Sequence, residues 1–178
     1  MSHFQVVDSG QLTESRTIFD GKHIVVREGD GWEFVERKKA KEAVAVIAIT
    51  DDRKLILTEQ FRRPVDGRVI DWPAGLVGDE GNDDTAESAR RELEEETGYA
   101  CHSVEWVASG PTSPGITSEI VHFYRATGVR RKGGGVGGED ITVHLVPLGQ
   151  IEEWLRARSG VLIDLKIWAG LYFVLQST

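Results

Sequence analysis

Ala43–Thr50 (AVAVIAIT) is a continuous apolar run rich in β-branched residues, the pattern of a strand buried on both faces. Asp51-Asp52 interrupts it with a turn, and Leu55–Gln60 (LILTEQ) reads as its partner. Upstream, residues 17–36 (TIFDGKHIVVREGDGWEFVE) alternate in part on either side of Glu28-Gly-Asp-Gly31, which predicts a hairpin ahead of the main body. Val69–Trp72 is a short strand stopped by Pro73. Glycine and acidic residues fill 75–84, and a helix follows to Thr97, with Gly98 as its C-terminal cap. Asp84 with Glu87 three residues on predicts a capping box at its start. Val104–Ala108 and Val121–Ala126 are further strands, separated by SGPTSPGITSE. The loop RRKGGGVGGED (130–140) leads into the alternating strand ITVHLVP, and two helices close the chain at about 148–158 and 163–175. No internal repeat is visible. Strands interspersed with helices define an α/β class with mixed sheets covered by helices.

Composition narrows the function. The chain of 178 residues is one domain with room for a sizeable core, and its 40% hydrophobic and 28% charged content is that of a globular protein. A net charge of −8 argues against binding to a nucleic-acid backbone. An anionic substrate stays open, because a bound metal ion can invert the local sign. The single cysteine, Cys101, cannot form an internal disulfide, which fits a reducing cytoplasm. The N-terminus has no secretory pattern, and the apolar run IWAGLYFVL is too short for a bilayer, so no membrane partner is expected.

Candidate chemistry concentrates in residues 91–98, RELEEETG. Like charges three and four apart on a helix repel, so Glu92, Glu94, Glu95 and Glu96 are destabilising unless something offsets them. With successive residues turned by about 100°, Glu92, Glu95 and Glu96 share one face, while Glu94 points the opposite way, towards solvent. Ala86, Ala89 and Leu93 form a separate apolar stripe for packing on a sheet. Three converging carboxylates are the hard-oxygen set that Mg²⁺ or Mn²⁺ prefers. Taken alone, such a run is more often a solvated acidic face.

Context favours the metal. Gly75–Tyr99 (GLVGDEGNDDTAESARRELEEETGY) resembles the Nudix box, G-x5-E-x7-R-E-U-x-E-E-x-G-U, with U a bulky apolar residue. Arg91, Glu92, Leu93, Glu95, Glu96, Gly98 and Tyr99 match its second half position by position. Between Gly75 and Arg91 stand 15 residues, two more than the pattern has, and Asp83 occupies the place of the first glutamate. This reads as a two-residue insertion in the loop before the helix, leaving the metal-binding half intact. The segments RKKAKEAVAVIAI, EQFRRPVDGRVIDWPAGLV, SPGITSE and EDITVHLVPLGQIEEWL resemble successive parts of ADP-ribose pyrophosphatases and related nucleoside diphosphate-sugar hydrolases.

That resemblance implies an α/β/α Nudix sandwich over residues 41–178. It also implies an N-terminal β extension over 1–40 that is often exchanged between the subunits of a homodimer. The implied activity is metal-dependent hydrolysis of a pyrophosphate in a nucleoside diphosphate sugar, ADP-ribose to AMP and ribose 5-phosphate first, or a UDP- or GDP-sugar. Mg²⁺ or Mn²⁺ would be held by Glu92, Glu95, Glu96 and the Ala74 carbonyl, with Arg91 orienting the carboxylates. Arg62 would contact a substrate phosphate, with Arg63 facing solvent, and Arg37 and Glu119 would also meet the substrate; for Glu119 a simple turn residue is an equal reading. The aromatic that stacks on the base is missing from its usual place beside Gly21, and Phe19, His23 or Trp32 would replace it. Glu139 in the glycine-rich loop would act as catalytic base, with Asp140 the second candidate.

Other residues read as structural. Cys101 is a small packing residue, His144 faces the surface from a strand, and Trp72 packs a strand end. Trp154 and Trp168 belong to core or interface. The alternatives to an enzyme are a non-catalytic Nudix-fold sensor of nucleotide sugars and an acidic interaction protein without a ligand. The intact Arg-Glu-x-x-Glu-Glu set argues against the sensor, which has no need of a metal site, and the interaction protein predicts no metal dependence.

Overall fold

A computed structural model describes residues 14–40, 42–78, 84–135 and 140–175. The N-terminal part is a three-stranded antiparallel sheet: β1 (Arg16–Asp20), β2 (Ile24–Gly29) and β3 (Trp32–Arg37), in that order. The predicted hairpin is its second half. Asp30 and Gly31, the two turn residues, both have positive φ (51° and 81°), the geometry of a tight turn that matches strand twist. The sequence pattern missed the pairing of β1 with β2, because β1 is exposed along its whole length and carries no buried face to alternate. The sheet meets the rest of the chain through β3. The Val35 amide donates to the Ile116 carbonyl (2.8 Å), and the Ser118 amide donates to the Val35 carbonyl (3.3 Å).

The main sheet is mixed and has nine strands. At its centre lies β4 (Glu42–Thr50), the run AVAVIAIT with its flanking Glu42, whose residues Val44 to Ala48 are all fully buried. It is antiparallel to β5 (Lys54–Arg62) and β7 (Ala74–Leu76) and parallel to β10 (Ile120–Arg131). Beyond β5 come β6 (Gly67–Asp71) and β11 (Ile141–Pro147), with β12 (Leu162–Ile163) on the far side of β6. Beyond β10 come β9 (Ser103–Pro111) and the short β8 (Tyr99–Ala100).

Alternation along β4 and β5 divides the core. Val44, Val46, Ala48 and Ile56 turn to the helix α1 (Thr85–Thr97), meeting Ala89 and Leu93. Ala45, Ile47, Leu55 and Leu57 turn to α2 (Ile151–Arg156) and α3 (Leu165–Leu175), meeting Leu155, Ile167 and Leu171. One helix on one face and two on the other make the expected α/β/α sandwich. Among the described residues no helix is long and apolar enough to cross a membrane.

Two aromatic-rich spots depart from the sequence reading. His144 does not face solvent: α2 covers that part of β11. Its Nε2 lies 2.9 Å from Glu59 Oε2, and its ring meets Trp154 edge-on at 5.0 Å. Trp72 does more than close a strand; it is wholly buried, and its indole N–H donates to the Lys166 carbonyl on α3 (2.8 Å). Trp154 packs against the α2/α3 core, whereas Trp168 is 42% exposed. Cys101 is half-buried against the α1 core, and that burial pushes its thiol pKa up.

Candidate active site

Local rules fix α1 at both ends. The Asp84 side chain accepts hydrogen bonds from the amides of Ala86 (2.8 Å) and Glu87 (3.1 Å), satisfying two of the donors that a helix start leaves open. At the other end Gly98 adopts φ 72°, and its amide donates to the Glu94 carbonyl. The residues after β10 close over this cap. The amides of Lys132 and Gly133 donate to the Gly98 carbonyl at 2.9 and 3.2 Å. Gly135 approaches so closely that a Cβ there would lie 2.3 Å from the Gly98 nitrogen.

The four glutamates that follow Arg91 on α1 separate by environment. Glu92 is buried (7% exposed), and its carboxylate occupies the space beside Gly75 on β7. The Glu96 carboxylate accepts the Ala74 amide at 3.0 Å. Glu92 and Glu96 therefore both reach the strand that follows Trp72-Pro73. Arg91 joins this set: its guanidinium lies 2.8 Å from Glu92 Oε1 and 2.9 Å from Glu95 Oε2. Glu95 is the most open of the three, with its side chain 53% exposed. Glu94 is less exposed than an outward position predicts, because Lys132 covers it with an ion pair at 2.5 Å.

Among the described residues no three acidic, histidine or cysteine side chains are gathered at metal-ligand spacing. The donor chemistry nonetheless fits a divalent cation. Glu92, Glu95 and Glu96 offer only hard oxygens, they rise from one turn and a half of helix beside β7, and their mutual repulsion wants a positive charge. Arg91 supplies part of that charge from within the chain.

The remaining candidates lie at different distances from this turn. By the alternation of β5, Arg62 stands on the same face as Ile56 and therefore towards α1; it is exposed. Arg63 lies in the short 3-10 turn that follows, its guanidinium 5.2 Å over the Phe61 ring. Arg37, at the end of β3, and Glu119, just before β10, are paired with each other at 2.7 Å. Phe19 belongs to β1 of the N-terminal sheet, is 57% exposed and lies over Gly21. Glu139 lies outside the described residues. Asp140 is engaged by Arg68 at 3.0 Å. Arg68 pairs with Phe61 across the β5–β6 ladder, on the face opposite Gln60 and Arg62, so Asp140 is held away from α1.

Sequence reasoning missed a half-buried network behind the sheet, in which Glu59 accepts from Arg68 (2.5 Å) and meets His144. Burial pushes the Glu59 pKa up, but these two partners together hold it below the usual carboxylate range. A second missed group is Asp71, Asp164 and Lys166. Lys166 Nζ lies 2.9 Å from Asp71 and 2.6 Å from Asp164, and burial raises the Asp71 pKa to about 6 against the pull of Lys166. The only hint in the sequence was a lysine and an aspartate at the head of an apolar helix.

Comparison with known proteins agrees with this geometry. The NUDIX domain family matches residues 39–165. The chain is 40% identical to the methanol dehydrogenase activator of Bacillus methanolicus, over 94% of this chain and 96% of the relative. It is 43% identical to the ADP-ribose pyrophosphatase of Bacillus subtilis, over 47% of this chain and 44% of that one. The crystal structure of an ADP compounds hydrolase superposes with a TM-score of 0.65 and 22% identity, over 81% of each chain, a likeness of fold. An acidic helix capped and charged in this way, inside a matched domain of this extent, makes the chain a Nudix hydrolase.

Proposed function

We propose that this hydrolase cleaves the pyrophosphate of a nucleoside diphosphate sugar, with ADP-ribose the first candidate substrate and UDP- or GDP-sugars next. The observation that carries the reading is the cluster of Glu92, Glu96 and Arg91 around β7, with Arg62 ending a strand whose alternation turns it to the α1 face of the sheet. Glu92, Glu95 and Glu96, with the main chain of Ala74, would hold Mg²⁺ or Mn²⁺. Such an ion neutralises phosphate oxygens and acidifies the attacking water. The protein groups have separable tasks. Arg91 fixes the Glu92 and Glu95 carboxylates, the Ala74 amide fixes that of Glu96, and Arg62 binds a substrate phosphate through its guanidinium. Glu139 is proposed to take the proton of the attacking water. With ADP-ribose, the water oxygen adds to one phosphorus, the P–O–P bridge breaks, and AMP and ribose 5-phosphate leave.

Arg37, Glu119 and an aromatic of the N-terminal sheet are proposed to hold the nucleoside end. Phe19, Trp32 and Ile18 are all more than two-fifths exposed, an apolar surface that supports the proposal of a homodimer covering them. A light-scattering mass of one chain would refute the dimer. The cytoplasm is the proposed compartment, from the lone cysteine. The function is tested by phosphatase-coupled phosphate release with Mg²⁺ or Mn²⁺ across ADP-ribose, UDP-glucose, GDP-mannose, NADH and a nucleoside triphosphate. Metal-dependent turnover of one diphosphate sugar is expected, and turnover of the triphosphate alone would refute the reading.

A second reading is favoured by the relative named an activator of methanol dehydrogenase, which matches nearly end to end. On that reading the chain changes the activity of an alcohol dehydrogenase. Adding the protein to such a dehydrogenase and following its reduced cofactor by absorbance tests it directly.

A further inference from the structure

The metal helix contacts β7 from one side of the sheet. From the other side, α3 reaches the same segment through a chain of buried polar contacts. Lys166 Nζ sits between Asp71 (2.9 Å) and Asp164 (2.6 Å). The second oxygen of Asp71, Oδ1, accepts the Trp72 amide at 2.8 Å. The Trp72 indole N–H donates to the Lys166 carbonyl at 2.8 Å, so one α3 residue holds both ends of the Asp71-Trp72 pair. Gly170 permits this approach, since a Cβ there would lie 2.6 Å from the indole. Thr58 adds a hydroxyl within 3.3 Å of the Trp72 carbonyl, and the Pro73 carbonyl accepts the Val46 amide at 2.8 Å. The next residue is Ala74, whose amide meets Glu96.

Buried charge of this kind is a poor way to gain stability, because well-packed apolar residues of similar volume often do as well or better. It does fix direction. Residues 71–73 are held through their main chain or ring at four points, and the segment they deliver is the one that Glu92 and Glu96 contact. We propose that Lys166, acting through Asp71 and Trp72, is a positioning residue for the cation site, holding the Ala74 main chain where the α1 carboxylates need it. The inference rests on the proposed cation site and deepens it: the site is built from both faces of the sheet.

The test uses the full chain, freed of metal, with Mn²⁺ as the probe in titration calorimetry and hydrogen exchange at the Ala74 amide as a metal-free readout. Lys166→Met removes the ammonium group. Trp72→Phe removes the indole donor together with part of the buried ring volume, a packing loss that the Leu155→Ala control accounts for, and decides the matter alone if Lys166→Met does not fold. Leu155→Ala, in the same core but on α2, supplies a comparable loss of stability as control. For both network variants Mn²⁺ binding is expected to weaken on the order of tenfold, as when partners of ligands are removed. The Ala74 amide should exchange correspondingly faster, while the control leaves both unchanged. Mn²⁺ binding within about twofold of the parent in the folded network variants overturns the proposal, as does an equal loss in Leu155→Ala. A parent protein that binds no Mn²⁺ overturns the cation site and this inference together. A parent that binds Mn²⁺ without cleaving any diphosphate sugar overturns the substrate reading alone.

Discussion

Replacing Gly75 with alanine probes the seat of Glu92 with a single methyl group. An added Cβ would lie 2.0 Å from Glu92 Cδ and 2.2 and 2.3 Å from its two oxygens. Ordinary contacts between such atoms are about 3.5–4.0 Å, so the carboxylate must move by about 1.5 Å. It has little room to do so, being 7% exposed and tied to Arg91 at 2.8 Å. Overpacking of this kind costs about 1–3 kcal/mol. Gly75 is not among the positive-φ glycines, so alanine fits its backbone and restricts the unfolded chain, returning about 0.4–1 kcal/mol. At the midpoints of these ranges the net loss is about 1.3 kcal/mol. In a chain of 178 residues each kcal/mol lowers the melting temperature by about 2–4 °C, so a drop of about 3–5 °C is expected. Metal-dependent turnover should fall by about 10- to 100-fold, as when a metal site loses its geometry. Gly149→Ala, where an added Cβ meets nothing within 4 Å, is the control and should be near neutral. Thermal melts and the phosphate-release assay read both effects. A Gly75→Ala protein that melts as high as the parent and keeps its turnover would show that Glu92 does not lodge there.

Glu96→Gln keeps an acceptor for the Ala74 amide, so it should melt within a few degrees of the parent while losing metal-dependent turnover; full activity in the phosphate assay would refute its place in the site. Arg62→Ala should raise KM on the order of tenfold with the Mg²⁺ requirement unchanged, measured by initial rates over substrate concentration. The pKa of Glu59 is depressed, so its stabilising contribution is present above the ordinary carboxylate value near 4.5 and is lost as pH falls through its lower folded value. Glu59→Gln should therefore flatten the acid limb of stability against pH, followed by urea unfolding, and an unchanged slope would contradict the Arg68–His144 network.

How far the sequence carried depended on the range of the interactions involved. The α1 helix was legible because its signals are local: Asp84 and Gly98 mark its ends, and Ala89 and Leu93 mark its buried stripe. The β4 core strand was equally plain from composition. β1 was not, since a fully exposed strand has no hydrophobic period and is defined only by its ladder to β2. Within the site, helical spacing grouped Glu92, Glu95 and Glu96. It could not foresee that Lys132, 38 residues from Glu94, would cover the outward glutamate and leave Glu95 more open. The Asp71–Lys166 contact joins residues that no periodicity relates, and His144 became half-buried only because α2 returns over β11.

The tie between the N-terminal sheet and the loop before β10 couples two binding events. Val35 bonds to Ile116 and Ser118, and Arg37 grips Glu119, so one loop serves both the extension and the proposed substrate. A ligand that draws Glu119 away from Arg37 must loosen the extension. Because coupling free energies are reciprocal, anything that clamps the extension alters ligand affinity by the same factor. A second subunit resting on that sheet would thus act as an effector of the site, and occupancy of the site would shift the protein concentration at which the subunits separate.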